Sequence, residues 1–263
     1  MFKFEISKPE NMRQEIYKTY NDIKLHLYIF KPENREPKKL LSVIVFFHGG
    51  GQHPSQFFPQ CEYFSNRGMM AISAEYRHWG TSPVESVIDG KSAISWIRNH
   101  ASKLGIDTKR IAAAGASAGG HIALCAALID GYEPNTTDSS INSKPTALVL
   151  FNPAVDTVSN TRVANFFKRN PKDLSPMHHI KRELPPMIIF HGTRDKIIPI
   201  KEIELFTVKV KKLGNVCELV SFERKGHAFF NYGAYKNKPY NETVRATDKF
   251  LCTLGYLKGE PTI

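Results

Sequence analysis

Cysteine, tryptophan and long apolar runs are all scarce in this chain. Only four cysteines occur in 263 residues, Cys61, Cys125, Cys217 and Cys252. No two of them form a C-x-x-C pair, which removes dithiol redox and zinc-ribbon chemistry. Cys125 and Cys217 lie in apolar segments and are expected to be buried as small hydrophobes. A core of this size needs no disulfide staple. No apolar stretch reaches the roughly 20 residues that cross a bilayer, and the opening Met1-Phe2-Lys3-Phe4-Glu5 has no apolar leader core. As written, the chain is expected to be cytoplasmic and without a membrane partner; removal of a leader would instead place it in the periplasm or outside the cell. A phosphate-loop G-x-x-x-x-G-K-[ST] pattern is also lacking. The balance of Lys and Arg over Asp and Glu gives a net charge of +11, yet the basic residues are scattered, with pairs such as Lys38-Lys39 and Lys211-Lys212 and no long run. That pattern predicts a solvated basic surface and no nucleic-acid partner.

What is present is a regular alternation of apolar strands and helices. Gln14–Tyr20, the turn Asn21-Asp22 and Ile23–Phe30 predict a β-hairpin, followed by a polar loop over Lys31–Pro37. Continuous apolar runs at 40–47, 68–76, 111–114, 146–151, 187–190 and 216–222 predict buried strands. Between them, helices are predicted from Ser82-Pro83 to about Leu104, over 120–128, over 201–213 and over 240–254. Buried strand runs separated by helices imply a mainly parallel sheet covered on both faces, with the antiparallel hairpin at its N-terminal edge. Residues 1–263 are expected to form one α/β domain, with neither repeat nor linker. The segment 156–180 fits no strand and is expected to act as a small lid or pocket wall.

The chemistry is concentrated where strands end. Gly115-Ala116-Ser117-Ala118-Gly119 follows one predicted strand and opens a helix, the setting of a nucleophile held on a sharp turn. Serine needs a base, a group to orient that base, and donors for the oxyanion. His227, in Gly226-His227-Ala228 after the strand ending at Phe222, is the expected base. Asp195, in the turn after the strand at 187–190, is the expected orienting acid, with Asp156 as its competitor. His48-Gly49-Gly50-Gly51 follows the strand ending at Phe47, so the amides of Gly50 and Gly51, with that of Ala118, are the expected oxyanion donors. His48 is expected to fix this loop, and His121 to pack or cap within its helix. Phe57, Phe58, Phe166, Phe167, Phe229 and Phe230 adjoin these elements and are candidates for an aromatic substrate wall, although each fits core packing as well.

These motifs resemble the α/β-hydrolase fold of the esterase/lipase group with an HGGG oxyanion loop. Within it the chain is similar to short bacterial carboxylesterases that include acetyl-xylan and feruloyl esterases. The matching pieces run from Phe47–Gly51 through Glu75-Tyr76-Arg77, Gly105-Ile106-Asp107 and Gly115–Gly120 to Gly226-His227-Ala228. The resemblance implies ester hydrolysis through an acyl-enzyme on Ser117, with no metal or organic cofactor. The expected substrate is a small-molecule or carbohydrate-linked ester, with acetyl or feruloyl groups on polysaccharide in view, and a homodimer is left open. Ala116 stands where hormone-sensitive-lipase-like members usually carry Asp, and only about forty residues precede the HGGG loop. No large cap domain is therefore expected. A serine peptidase or arylformamidase-like amidase, and a non-catalytic binding protein on the same fold, remain open at this point.

Overall fold

The computed structural model describes residues 11–33, 39–80, 82–133, 142–167 and 171–263. The expected polar loop from Asn34 onward, and residues 168–170 of the unplaced segment, lie outside them. Among the described residues one eight-stranded sheet runs in the order β1-β2-β4-β3-β5-β6-β7-β8. Its strands are β1 (Met12–Tyr20), β2 (Ile23–Phe30), β3 (Leu41–Phe47), β4 (Met70–Ala74), β5 (Ile106–Ala116), β6 (Ala147–Phe151), β7 (Met187–Gly192) and β8 (Cys217–Phe222). β1 and β2 are antiparallel to their neighbours, and every pairing from β4 to β8 is parallel. The fold class is as expected, including the hairpin at the N-terminal edge.

The central strands are apolar throughout because both faces are covered. On β3, Val43, Val45 and Phe47 join one core with α2 (Pro83–Asn99), α4 (Ala118–Leu128) and α6 (Ile200–Lys212). Ile44 and Phe46 point the other way, into a second core with α1 (Phe58–Asn66) and α7 (Lys238–Thr253). Cys61, Cys125 and Cys217 are buried and all four cysteines are free. No helix of the described residues is long and apolar enough to cross a membrane.

Two helical expectations need correction. The long helix from Pro83 breaks at His100, and α3 (Ala101–Leu104) follows as a separate turn that ends at the left-handed Gly105. The His100 ring stacks on Trp96 at 3.9 Å and its Nδ1 bonds the Trp96 carbonyl, so a side chain meets the backbone where the helix stops. The Ser82 side chain makes no capping bond, although Pro83 holds the first helical position as expected. The segment 156–180 holds α5 (Thr161–Ala164) and two short 3-10 turns, and Val163, Leu174 and Met177 sink into the first core.

Close approach of backbone to backbone fixes where the serine turn sits. A Cβ at Gly119 would lie 2.0 Å from the Phe47 carbonyl oxygen and 2.4 Å from that of His48. Neither backbone can yield cheaply, so Gly119→Ala should cost about 3 kcal/mol or more, read as a fall in the urea midpoint. Gly131 has a φ of +82 and open space around it, so Gly131→Ala should cost only about 1–2 kcal/mol. Equal losses in the two variants would refute the packing argument.

A second expectation concerns pH. Glu202 accepts hydrogen bonds from the Asp156 amide and from Asn160 Nδ2, and burial pushes its carboxyl up to about 7, with the Asp156 charge adding to the effect. An unfolded glutamate titrates near about 4.3. Between these values the folded chain keeps a proton that the unfolded chain has lost, so stability falls as pH rises from about 4.3 to 7. Glu202→Gln should flatten that decline in the thermal midpoint between pH 5 and pH 8. An unchanged slope in the variant would count against the assignment.

Candidate active site

Ser117 is the turn between β5 and α4 and holds φ 52, ψ −113, a conformation unusual for a residue with a side chain. Its amide donates to the Phe151 carbonyl at 3.0 Å, and its own carbonyl accepts from His121 N at 3.0 Å and Ala154 N at 3.2 Å. Both polar groups of its backbone are thus held by β6 and α4, and the side chain faces a small cavity of about 70 Å³. Gly49, Gly50, Gln52, Gln56, Ala116, Asn152, His227, Ala228 and Phe230 share that lining.

The structure brings the three expected side chains of the triad to one place. Asp195 Oδ2 lies 2.7 Å from His227 Nδ1, and the other carboxylate oxygen accepts the amides of Ile197 and Ile198 at 2.8 and 3.0 Å. The carboxylate is wholly buried, whereas the imidazole is 19% exposed. Burial alone would raise the Asp195 carboxyl. The hydrogen bond and charge of His227, joined by the two amides, outweigh it and hold the group below the usual carboxylate range. With Nδ1 engaged by Asp195, Nε2 turns toward the cavity that Ser117 lines. Asp156 is elsewhere: its carboxylate accepts the Val158 and Ser159 amides at 2.8 and 2.9 Å and so caps its own loop.

The other histidines near the site are structural. His48 stacks on Tyr76 at 4.2 Å, its Nδ1 bonds the Gly49 carbonyl, and burial pushes it down to about 4. His121 is fully buried between the Trp79 indole N–H and the Leu174 carbonyl, and burial pushes it also to about 4. His191 lies under the Asp195 turn with Nε2 on the Ile198 carbonyl, and burial lowers it too. All three act as uncharged pegs, as expected for His48 and His121.

The oxyanion loop is partly as expected. Gly50 lines the cavity; Ala118 is not part of the lining, but a Cβ built on Gly50 would sit 3.5 Å from that of Ala118, so the two are neighbours at the start of α4. Gly51 is exposed at the left-handed corner of the turn and is outside the lining, because Gln52 N closes that turn onto the Gly49 carbonyl.

The aromatic wall is the clearest correction. Phe57, Phe58 and Phe229 belong to the second core and Phe167 to the first, where their apolar area is removed from water. Phe166 is exposed but lies over Trp79 at 5.1 Å and does not line the cavity. No described residue of 156–180 lines it either. Phe230 alone of these candidates does. Beside Phe230 the wall carries the amide side chains Gln52, Gln56 and Asn152, none of which the sequence reading singled out. Asn152 follows β6 directly, its Oδ1 accepts the Ala228 amide at 3.2 Å, and its Nδ2 sits 3.4 Å from His227 Nε2. The rule that selected Asp195, a polar residue just after a buried strand, selects Asn152 equally. Among the described residues no group of three or more His, Cys, Asp and Glu side chains converges to hold a metal ion.

Comparison with known proteins agrees with this geometry. The BD-FAE family profile matches residues 27–210. Esterase LipC of Mycobacterium tuberculosis is 27% identical over 203 residues, covering 66% of this chain and 49% of that protein. The chain thus spans about half the length of that curated relative. Esterase 2 of Thermogutta terrifontis, in a structure phosphoramylated by tabun, is 43% identical with a TM-score of 0.90, covering 95% of this chain and 97% of that one. The same esterase with propionate bound is 42% identical at a TM-score of 0.90, covering 97% and 98%. From the strand order, the serine turn and these likenesses together, the chain belongs to the BD-FAE family of the α/β-hydrolase carboxylesterases.

Proposed function

We propose that this protein is a serine carboxylic-ester hydrolase for short acyl groups. The observation that carries the reading is the meeting of Ser117, on its strained positive-φ turn, with the Asp195–His227 pair around one small cavity. In this reading Ser117 Oγ attacks the ester carbonyl and passes its proton to His227 Nε2, while Asp195 holds the imidazole at Nδ1. The amides of Gly50 and Ala118 receive the oxyanion. Collapse expels the alcohol, which takes the proton from Nε2 and leaves an acyl-enzyme. Water, deprotonated by the same imidazole, then releases the acid and restores Ser117.

Cavity size supports a short acyl group. A site of about 70 Å³ is less than half the roughly 150 Å³ that holds a benzene ring. Acetyl, propionyl and butyryl fit that space better than an aromatic acyl group such as feruloyl. Propionate is bound by the Thermogutta esterase.

Ser117→Ala should lower kcat for p-nitrophenyl acetate by roughly 10⁴- to 10⁶-fold and abolish fluorophosphonate labelling, with the thermal midpoint retained. Undiminished turnover in that variant would sink the mechanism. Across p-nitrophenyl acetate, butyrate and octanoate, kcat/KM should drop by about tenfold or more beyond butyrate, and methyl ferulate should be a poor substrate. A preference for octanoate or ferulate would overturn the short-acyl assignment.

A further inference from the structure

Gln56 sits on a 3-10 turn, Pro54–Phe57, and no step described above uses it. Its side chain reaches in two directions. Oε1 accepts the Gly49 amide at 2.7 Å, and Nε2 donates to Asn231 Oδ1 at 3.0 Å. Gly49 belongs to the oxyanion loop, and Asn231 follows the base by four residues, with its own amide on the Ala228 carbonyl. Gln56 therefore spans the cavity floor from one catalytic loop to the other, and it lines the cavity itself.

The consequence lies in the Gly49–Gly50 peptide. The Gly49 carbonyl accepts from His48 Nδ1 at 2.9 Å and from Gln52 N at 3.1 Å. Because a trans peptide is planar, fixing that carbonyl points the Gly50 N–H the opposite way. Holding the Gly49 N–H on Gln56 fixes the peptide before it, so the Gly49 backbone is held on both sides. A Gly-Gly step has little intrinsic stiffness, and the strut supplies what the sequence withholds there. The strut is itself anchored. Phe57, next to Gln56, stacks on Phe230, next to Asn231, at 5.9 Å and 15°, and also on Phe46 at 4.8 Å.

We infer that the Gln56–Asn231 bridge is a positioning device that aims the Gly50 amide at the oxyanion and keeps the oxyanion loop in step with the loop of the base. This rests on the ester-hydrolase reading. Gln56 is a positioning residue and does not touch the reacting atoms, so its loss should act on kcat more than on KM.

The test is a set of variants measured for kcat and KM on p-nitrophenyl acetate and for inhibition by a trifluoromethyl ketone, which binds serine esterases as an oxyanionic adduct. Gln56→Met keeps the volume and loses both bonds; it should lower kcat by about 10- to 100-fold with KM little changed. Asn231→Leu should do the same more weakly, and the double variant should be no slower than Gln56→Met alone. Asn231→Asp, which keeps the accepting oxygen, should recover most of the rate lost in Asn231→Leu. Ketone affinity should weaken by the same factor as kcat/KM, while thermal midpoints stay close to wild type. The inference fails if Gln56→Met matches wild type in kcat, if the two single losses multiply in the double variant, or if ketone affinity is unaltered while kcat falls. Wild-type turnover in the same assay reports on the esterase reading separately. No turnover there overturns that reading and the strut with it, whereas normal turnover in Gln56→Met overturns the strut alone.

Discussion

The positive-φ backbone of Ser117 is the constraint on which the rest of the site depends. A non-glycine residue in so sparsely populated a conformation costs about 1–3 kcal/mol, and here the cost is offset by three backbone hydrogen bonds, to β6, to Ala154 in the loop after it and to α4. The turn is tight enough that Gly119 lies against the Phe47 and His48 carbonyls. Strand register then spreads the effect sideways. Phe47 pairs with Gly115, Ala116 with Phe151, Phe151 with Phe190, and Gly192 with Phe222. Five adjacent parallel strands therefore end at one level. The loop that follows each of them contributes one part: Gly50, Ser117, Asn152, Asp195 and His227.

Strand ends are also the part of the site most legible in the sequence. A buried parallel strand is a nearly unbroken apolar run, so its end is marked by the first polar or glycine residue. Ser117, Asp195, His227 and the HGG loop each lie within a few residues of such a mark. Gln56 and Asn231 lie farther past β3 and β8 than any of these, and they meet each other across 175 positions. No local pattern encodes a contact at that separation. α1 is hidden for a different reason. Pro59 in its first turn is the same start signal as Pro83, but the helix is only nine residues long, and a helix that short is held by the surface it buries more than by its own pattern. The break at His100 is local by contrast: the contacts that mark it, a ring stack and a side-chain bond, both join His100 to Trp96 four residues before it.

Burial sorts the histidines into two roles. His48, His121 and His191 are enclosed, and desolvation disfavours their charged form, so each serves as a neutral hydrogen-bonding peg. This matters most for His191, whose Nε2 lies 3.7 Å from Asp195 Oδ2. An uncharged His191 leaves His227, held through Nδ1 at 2.7 Å, as the histidine hydrogen-bonded to the Asp195 carboxylate. The partial exposure of His227 keeps its far nitrogen on the cavity side, where a proton has to arrive and leave.

The aromatic residues act on this site from beneath. Phe57, Phe151 and Phe230 form a triangle with ring centroids 5.6, 4.6 and 5.9 Å apart. Phe190 joins Phe151 at 5.3 Å, and Phe222 joins both Phe190 at 6.4 Å and Phe229 at 4.6 Å. Every one of these rings belongs to a residue that adjoins or leads into a site loop: Phe57 beside Gln56, Phe151 before Asn152, Phe190 and Phe222 at the ends of β7 and β8, and Phe229 and Phe230 after the base. One contiguous raft of rings therefore sets the height of the oxyanion loop, the asparagine, the acid turn and the base turn together. Rings packed at core density move little relative to one another. With most of these rings spent beneath the loops, Phe230 is the phenylalanine left to line the cavity, beside Ser117, His227 and short loop residues, and the cavity is small.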